Sequence, residues 1–471
     1  MPLILGANSV SGGYEVDNSL RFDSGSSDSL TKTTTTPDNR DKLTLSAWFK
    51  ISSSSTSQEI FGFYGSNDYF TVRASNSNRI DVILYDGSAI SRLITTQLLR
   101  DFSAWYHIVV VVDSANATAD DRVKIYLNGN QITSFSTRTN PSQNQDFILS
   151  TLTTTGIGIN TDQVGGVSRF NGYISEAFYI DNQALDPTSF GEFDEDSGIW
   201  KPIAYTGTFG TAGFYLEFKD SSALGDDTSG NGNDFTVNNL TSIDQTTDTP
   251  SNNFATLNSL NIDPALSYTF SNGNLDVSIA ESGGEGMTSS TLSVSQGKWY
   301  WECKLVTSSA HGRFGVVPTS IGATGNPGEF GIAWQMNDAT MQLVNTIVSG
   351  SWGSNPSNND ILMFALDCDN QAFYFGVNGT WRNSGSPTSG ASKTGGVDYS
   401  GESTLTSDYL TIGFGGNFFG GGGVQLGQYN FGNPSFTISS GNSDANGYGN
   451  FEYSVPSGYY ALNSKNLAEF G

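Results

Sequence analysis

Nowhere along the 471 residues do apolar side chains recur with the sustained 3.6-residue period of a helix. They come instead in short runs of β-formers, alternating or wholly apolar, cut by clusters of Gly, Asn, Asp and Ser. Residues 43–51, 105–112, 123–127, 173–180, 298–305, 361–366, 372–377 and 409–414 are such runs. Strands of this kind bury their apolar faces only by pairing into sheets that then stack. The pattern predicts an all-β protein of antiparallel sandwiches. Four consecutive glycines at 420–423 mark a loop that no core strand would hold.

Charge narrows the partners. Lys and Arg number 21 against 46 Asp and Glu, a formal net charge of −25. Nucleic acid is excluded as a partner, because phosphate affinity comes from clustered Lys and Arg. Anionic membrane surfaces would repel the chain, and no run approaches the ~18 apolar residues of a membrane span. Residues 1–8, Met-Pro-Leu-Ile-Leu-Gly-Ala-Asn, lack the basic start and long apolar stretch of a signal peptide. Aromatics at 12% and charged residues at only 14% argue for a folded chain rather than a disordered acidic one. Cys303 and Cys368 both fall in strand-like runs. They read as buried free thiols, with one bridge between neighbouring strands the alternative.

The two halves repeat one device. Trp105-Tyr-His-Ile-Val-Val-Val-Val-Asp113 precedes Asp121-Arg-Val-Lys-Ile-Tyr-Leu-Asn-Gly129, and Ile361-Leu-Met-Phe-Ala-Leu-Asp367 precedes Asn370-Gln-Ala-Phe-Tyr-Phe-Gly-Val-Asn-Gly379. Each is a buried strand ending in Asp, a turn, a second strand and an Asn-Gly pair suited to a type I′ hairpin turn. The polar tract between the halves, with Pro187, Pro202 and the acidic run Glu192-Phe-Asp-Glu-Asp196, reads as a connector. The expected layout is a segment at 1–14, a sandwich at 15–185, a connector at 186–262 and a sandwich at 263–471.

Ser19-Leu-Arg-Phe-Asp23, Leu43-Thr-Leu-Ser-Ala-Trp-Phe49 and Phe170-Asn-Gly-Tyr-Ile-Ser-Glu176, with the first hairpin between them, resemble laminin-G-like or concanavalin-A-like jelly rolls. Gly297-Lys-Trp-Tyr-Trp-Glu-Cys-Lys304, the second hairpin, Tyr429-Asn-Phe-Gly-Asn433 and Tyr459-Tyr-Ala-Leu-Asn463 resemble a SPRY domain. The opening Met-Pro-Leu-Ile-Leu-Gly, Ile199-Trp-Lys-Pro-Ile-Ala-Tyr205 and Asn252-Asn-Phe-Ala-Thr-Leu257 resemble a family of structural proteins of marine tailed bacteriophages, over nearly the full chain. That resemblance implies localisation in the virion, as a tail fibre, head fibre or other appendage. It also implies other virion proteins as partners and a homo-oligomer, a trimer by analogy. The leading expectation is attachment to a host-surface glycan or protein. The rivals are a purely architectural component and a polysaccharide depolymerase.

Catalysis finds little support in the residues. His107 sits inside an apolar strand and His311 in a turn, with no nucleophile motif beside either. Glu192, Asp194 and Asp196 would share a face if extended, but the closing glutamate of a glycosidase strand is absent. The chain reads as non-enzymatic. No cofactor is required; calcium is the candidate ion, with Asp226 and Asp227 in one oxygen-rich loop and Asp113, Asp120 and Asp121 in another. Read from Asp227 as an EF-hand, the first loop fails at its twelfth position, Asn238, so an Asx-rich turn is the plainer reading. Trp352, Trp381, Phe418 and Phe419 lie in Gly/Ser/Asn-rich segments and are the candidate ligand-binding aromatics. Trp299 and Trp301 share one strand face and read as core. Leu3, Ile4 and Leu5 read as an edge strand or an uncharged docking arm toward another virion protein.

Overall fold

Alternation along the strand Lys42–Ile51 sets the first sandwich. Leu43, Leu45, Ala47, Phe49 and Ile51 enter the core, and Thr44, Ser46, Trp48 and Lys50 face the other way. The computed structural model describes residues 13–53, 56–162, 166–280, 284–307, 311–336, 338–417 and 424–471. The chain divides between Ser251 and Asn252 into two compact units.

In the first unit one sheet runs Asn130–Gln131, Val123–Leu127, Tyr106–Asp113, Lys42–Ile51, Gly172–Asp181, Ser19–Phe22, Gln245–Thr246, with Phe214–Leu216 also on Gly172–Asp181. The facing sheet runs Phe135–Thr139, Ile90–Thr95, Ile80–Tyr85, Tyr69–Ala74, Gln58–Tyr64, Thr154–Ile157, Ser29–Thr33, Thr236–Asn238. Phe61, Phe63, Phe70, Val72, Val82 and Leu84 of the second meet Leu20, Phe22, Leu45, Phe49 and Ile174 of the first. Each such side chain, fully buried, contributes about 1.5–3 kcal/mol of hydrophobic free energy.

The second unit repeats the architecture. One sheet runs Leu257–Ile262, Glu285–Val294, Leu410–Asn417, Gly312–Pro318, Ile332–Gln335, Thr340–Leu343, Thr346–Val348. The other runs Ser267–Ser271, Asp276–Ala280, Val424–Asn430, Lys298–Thr307, Ile361–Asp367, Ala372–Val377, Thr380–Trp381. Trp299 and Trp301 both enter the core between them, with Trp334, Phe364 and Phe375. Cys303 and Cys368 are buried free thiols.

Both predicted Asn-Gly hairpins form. Leu127 pairs with Asn130 and Val377 with Thr380, leaving two-residue turns. Their φ values are 47° and 75° at Asn128 and Gly129, and 48° and 78° at Asn378 and Gly379, as type I′ requires. The Asn side chains act alike: Asn128 Oδ1 accepts from His107 N at 2.7 Å, and Asn378 Oδ1 from Ile361 N at 2.9 Å.

The connector expected over 186–262 is corrected. Phe214–Leu216 pairs with Gly172–Asp181, Thr236–Asn238 with Ser29–Thr33, and Gln245–Thr246 with Ser19–Phe22, so this tract completes the first sandwich. Its aromatics Phe190, Trp200, Tyr205, Phe209 and Tyr215 cover the sheet face that carries Trp48, Val109, Val111 and Phe178. Residues 257–262 form an edge strand of the second sandwich. A polar tract with one aromatic per loop has no period to read, yet each ring anchors its loop by burial. Among the described residues no helix is long and apolar enough to cross a membrane.

Candidate functional site

The candidate metal ligands do not converge. Asp113 pairs with Lys42 at 3.4 Å, Asp120 with Arg138 at 3.1 Å and Asp121 with Lys124 at 3.2 Å. Asp227 is buried and takes four hydrogen bonds, from Tyr215 N, Ser229 N, Ser229 Oγ and Asn233 N. Asp226 beside it is exposed. Lys32 Nζ reaches Asn233 Oδ1 at 2.9 Å, so an ammonium already stands beside this loop. Among the described residues no three His, Cys, Asp or Glu side chains gather to hold a metal. In this arrangement these carboxylates make ion pairs and an Asx-anchored turn.

Of the tryptophan candidates, Trp352 is corrected and Trp381 is half-buried. Trp352 is 4% exposed in the second core, its Nε1–H donating to Val348 O at 3.1 Å. Trp381 folds back over its own hairpin, edge-on to Tyr300 and Tyr374. Phe418, Phe419, Leu3, Ile4 and Leu5 lie outside the described residues.

His107 is locked in place. Trp200 Nε1–H donates to its Nδ1 at 3.0 Å, so the proton sits on Nε2 and goes to Ser46 Oγ at 2.8 Å. Trp48 stacks on the ring at 4.7 Å, and burial pushes the imidazole down to about 3. A histidine so held is neutral and structural. Glu192 and Asp194 both reach Lys201, across a small hairpin of Gly191–Phe193 with Trp200–Pro202.

A cleft lies instead on the outer side of the second sheet of the first sandwich. Phe70 and Leu84 enter the core, so period-2 alternation turns Tyr69 and Tyr85 outward. The register places them directly opposite one another, ring centroids 5.7 Å apart and planes tilted by 42°. Two hairpin turns flank the pair. Gly65 to Asp68 closes one, with Gly65 N donating to Asp68 O; Asp86 to Ala89 closes the other. Thr161, from the hairpin of Ile159–Asp162 with Gly166–Arg169, completes the rim. The cavity measures about 370 Å³, within the range of small-molecule sites.

Two carboxylates belong to it. Asp68 is 8% exposed; its Oδ2 accepts from the Thr151 hydroxyl and its Oδ1 has no hydrogen-bond partner. Asp86 is held below the usual carboxylate range, chiefly by the Ala89 amide, with Ser88 adding two donors. Among the described residues no Lys, Arg or His lines the cavity. Further along the same sheet, Glu59, Arg73, Asp81 and Arg92 form an ion-pair ladder whose charges are matched internally. Such a cleft offers two aromatic faces, hydroxyls and carboxylate acceptors. It suits a polyhydroxylated ligand.

Sequence reasoning missed these residues. The available signal was a tyrosine on the solvent parity of each of two successive strands, beside Asn67-Asp68 and Asp86-Gly87 turns.

Residues 23–188 match the family model of the concanavalin A-like lectin/glucanases superfamily, laminin G type. That part of the chain has the antiparallel sandwich fold of concanavalin A-like domains. Comparison with curated proteins gives no match. Among solved structures, domains LG4-5 of the mouse laminin alpha1 chain are 11% identical, covering 86% of this chain and 84% of that one, TM-score 0.30. The SPRY domain of human HERC1 is 12% identical, covering 37% and 96%, TM-score 0.26. A Bacteroides ovatus protein described as a putative carbohydrate binding protein is 17% identical, covering 48% and 59%, TM-score 0.32.

Proposed function

We propose that the protein is a non-catalytic, glycan-binding component of a phage virion, an appendage that holds host-surface saccharide between Tyr69 and Tyr85. The observation that carries the binding is the cleft itself: two outward tyrosines 5.7 Å apart over a cavity of about 370 Å³ with a polar rim. Aromatic faces stack on the apolar faces of sugar rings, while the carboxylate and hydroxyl groups around them accept and donate to sugar hydroxyls. The virion setting is supported by the near full-length resemblance to marine tailed-phage structural proteins. Many copies on one particle, as homo-oligomers, would turn a weak single site into firm attachment. The locked, neutral His107 and the lysine-bound Glu192 and Asp194 support a role without catalysis.

A second reading has its own support. Leu260 and Ile262 are exposed on one edge strand of the second sandwich, and Ile347 on the opposite edge strand of the same sheet. Exposed aliphatics at open edges favour docking to other virion proteins, the purely architectural role.

Binding of the purified protein to host cells, before and after stripping of surface polysaccharide, separates the two. The glycan reading expects saturable binding that stripping abolishes, and a loss of about 3- to 10-fold in affinity for Tyr69→Ala or Tyr85→Ala. Unchanged affinity in both variants, or release of reducing ends from the polysaccharide, overturns it.

A further inference from the structure

Asp68 lacks what four other buried aspartates of the first sandwich have. Asp81 faces Arg73 and Arg92, and Asp248 pairs with Lys50 at 2.8 Å. Asp181 accepts from three backbone amides and Asp227 from four donors. Asp68, 8% exposed, has the Thr151 hydroxyl on one oxygen, none on the other, and no ion pair among the described residues. A carboxylate taken so far out of water needs a cation or a full set of donors. Asp86, on the adjoining turn, adds a second negative charge with no ion pair among the described residues. The faces of Tyr69 and Tyr85 attract cations as well.

We propose, resting on the glycan reading of this cleft, that it selects a saccharide bearing a free primary ammonium over neutral, N-acetylated or acidic sugars. The ligand's ammonium supplies the counter-charge that Asp68 and Asp86 lack, and its ring lies against the tyrosines. The cavity is far larger than a bare ion needs. With two carboxylates it also offers few of the six to eight oxygens that calcium takes.

Calorimetry on the full chain, in EDTA and at pH 6, tests this with three probes: a glucosamine tetramer, an N-acetylglucosamine tetramer and a galacturonate tetramer. The glucosamine tetramer is expected to bind at least 10-fold more tightly than the other two, and to weaken as salt screens the charges. Asp68→Asn, checked for folding by its thermal transition, and Asp86→Asn, on an exposed turn, are each expected to remove most of that preference. The tyrosine variants should instead weaken all sugars alike. Equal affinity for the acetylated or acidic tetramer, or binding that needs added calcium, overturns the ammonium selection and leaves the glycan cleft standing. Absence of binding to every saccharide overturns both.

Discussion

The two sandwiches each cover the outer face of their hairpin-bearing sheet with chain from later in the sequence, and they neutralise the buried charge beneath in different ways. In the first, Lys50 and Asp248 form an ion pair at 2.8 Å, each side chain 1% exposed, and Trp105 Nε1–H donates to the same carboxylate. In the second, Glu302 has no ion pair among the described residues and is satisfied by Glu452 N at 3.0 Å, Tyr453 N at 2.8 Å and the Tyr300 hydroxyl at 2.8 Å. One cover depends on side chains that must be kept together. The other depends on backbone amides, which any residue except proline supplies at positions 452 and 453. A cover of the second kind tolerates substitution in the covering segment but not at the carboxylate; a cover of the first kind tolerates neither.

The largest effects should come from the charges. Lys50→Met strands the Asp248 carboxylate and is expected to cost about 3–5 kcal/mol. Glu302→Gln keeps the volume but puts an amide NH₂ against donors, and is expected to cost about 1.5–3 kcal/mol. Urea unfolding followed by tryptophan fluorescence reads both, and equal losses would erase the distinction. Substitution of Tyr453 by Leu, by contrast, should leave the Glu302 contacts intact.

The turns give a finer comparison. A Cβ at Gly129 would stand 2.4 Å from the Trp200 ring, whereas one at Gly379 would stand 3.0 Å from the half-buried Tyr453 ring. Both positions need positive φ, so each alanine pays that strain and only Gly129→Ala adds overpacking. Expected losses are about 2–3 kcal/mol at 129 and about 1 kcal/mol at 379. Thermal melts of the two variants should rank them in that order.

The last comparison is with pH. His107 is pushed down to about 3 by burial, below its unfolded value of about 6.5, so its share of stability is present above pH 6.5 and is lost as pH falls toward 3. Burial lifts Glu176 to about 7, against the lowering by the Tyr215 and Tyr14 hydroxyls. Its share is therefore present below about pH 4.3 and is lost as pH rises through 7. Glu59, likewise lifted to about 7 by burial, adds to the same loss. Hydrogen exchange should show Tyr106–Asp113 loosening on acidification before Ile361–Asp367 does. Glu176→Gln should shrink the fall in melting temperature between pH 5 and pH 8 without touching the acid side.

Much of this architecture is legible in the residues. Period-2 runs gave the strands, Asn-Gly pairs gave both turns, and alternation placed Trp299 and Trp301 inside. The tract at 186–251 was opaque because Phe190, Trp200, Tyr205 and Phe235 bury one ring at a time, a contribution that no window average detects. Trp352 misled because composition around a tryptophan says little about whether its ring turns inward. The cleft was hidden for a different reason. Tyr69 and Tyr85 meet only once their strands pair in register, and Thr151 reaches Asp68 from 83 residues away.

The strand Ser19–Phe22 acquires its last neighbour from Gln245–Thr246. With ribosomes adding about 5–20 residues per second, the roughly 225 intervening residues take on the order of 10–45 s to synthesise. Throughout that interval the hydrogen-bonding edge of Ser19–Phe22 that later receives Gln245–Thr246 is open to any other nascent chain on the same message. Crowded polysomes should therefore yield more entangled product than sparse ones, and slowing initiation rather than elongation should raise the yield of native protein.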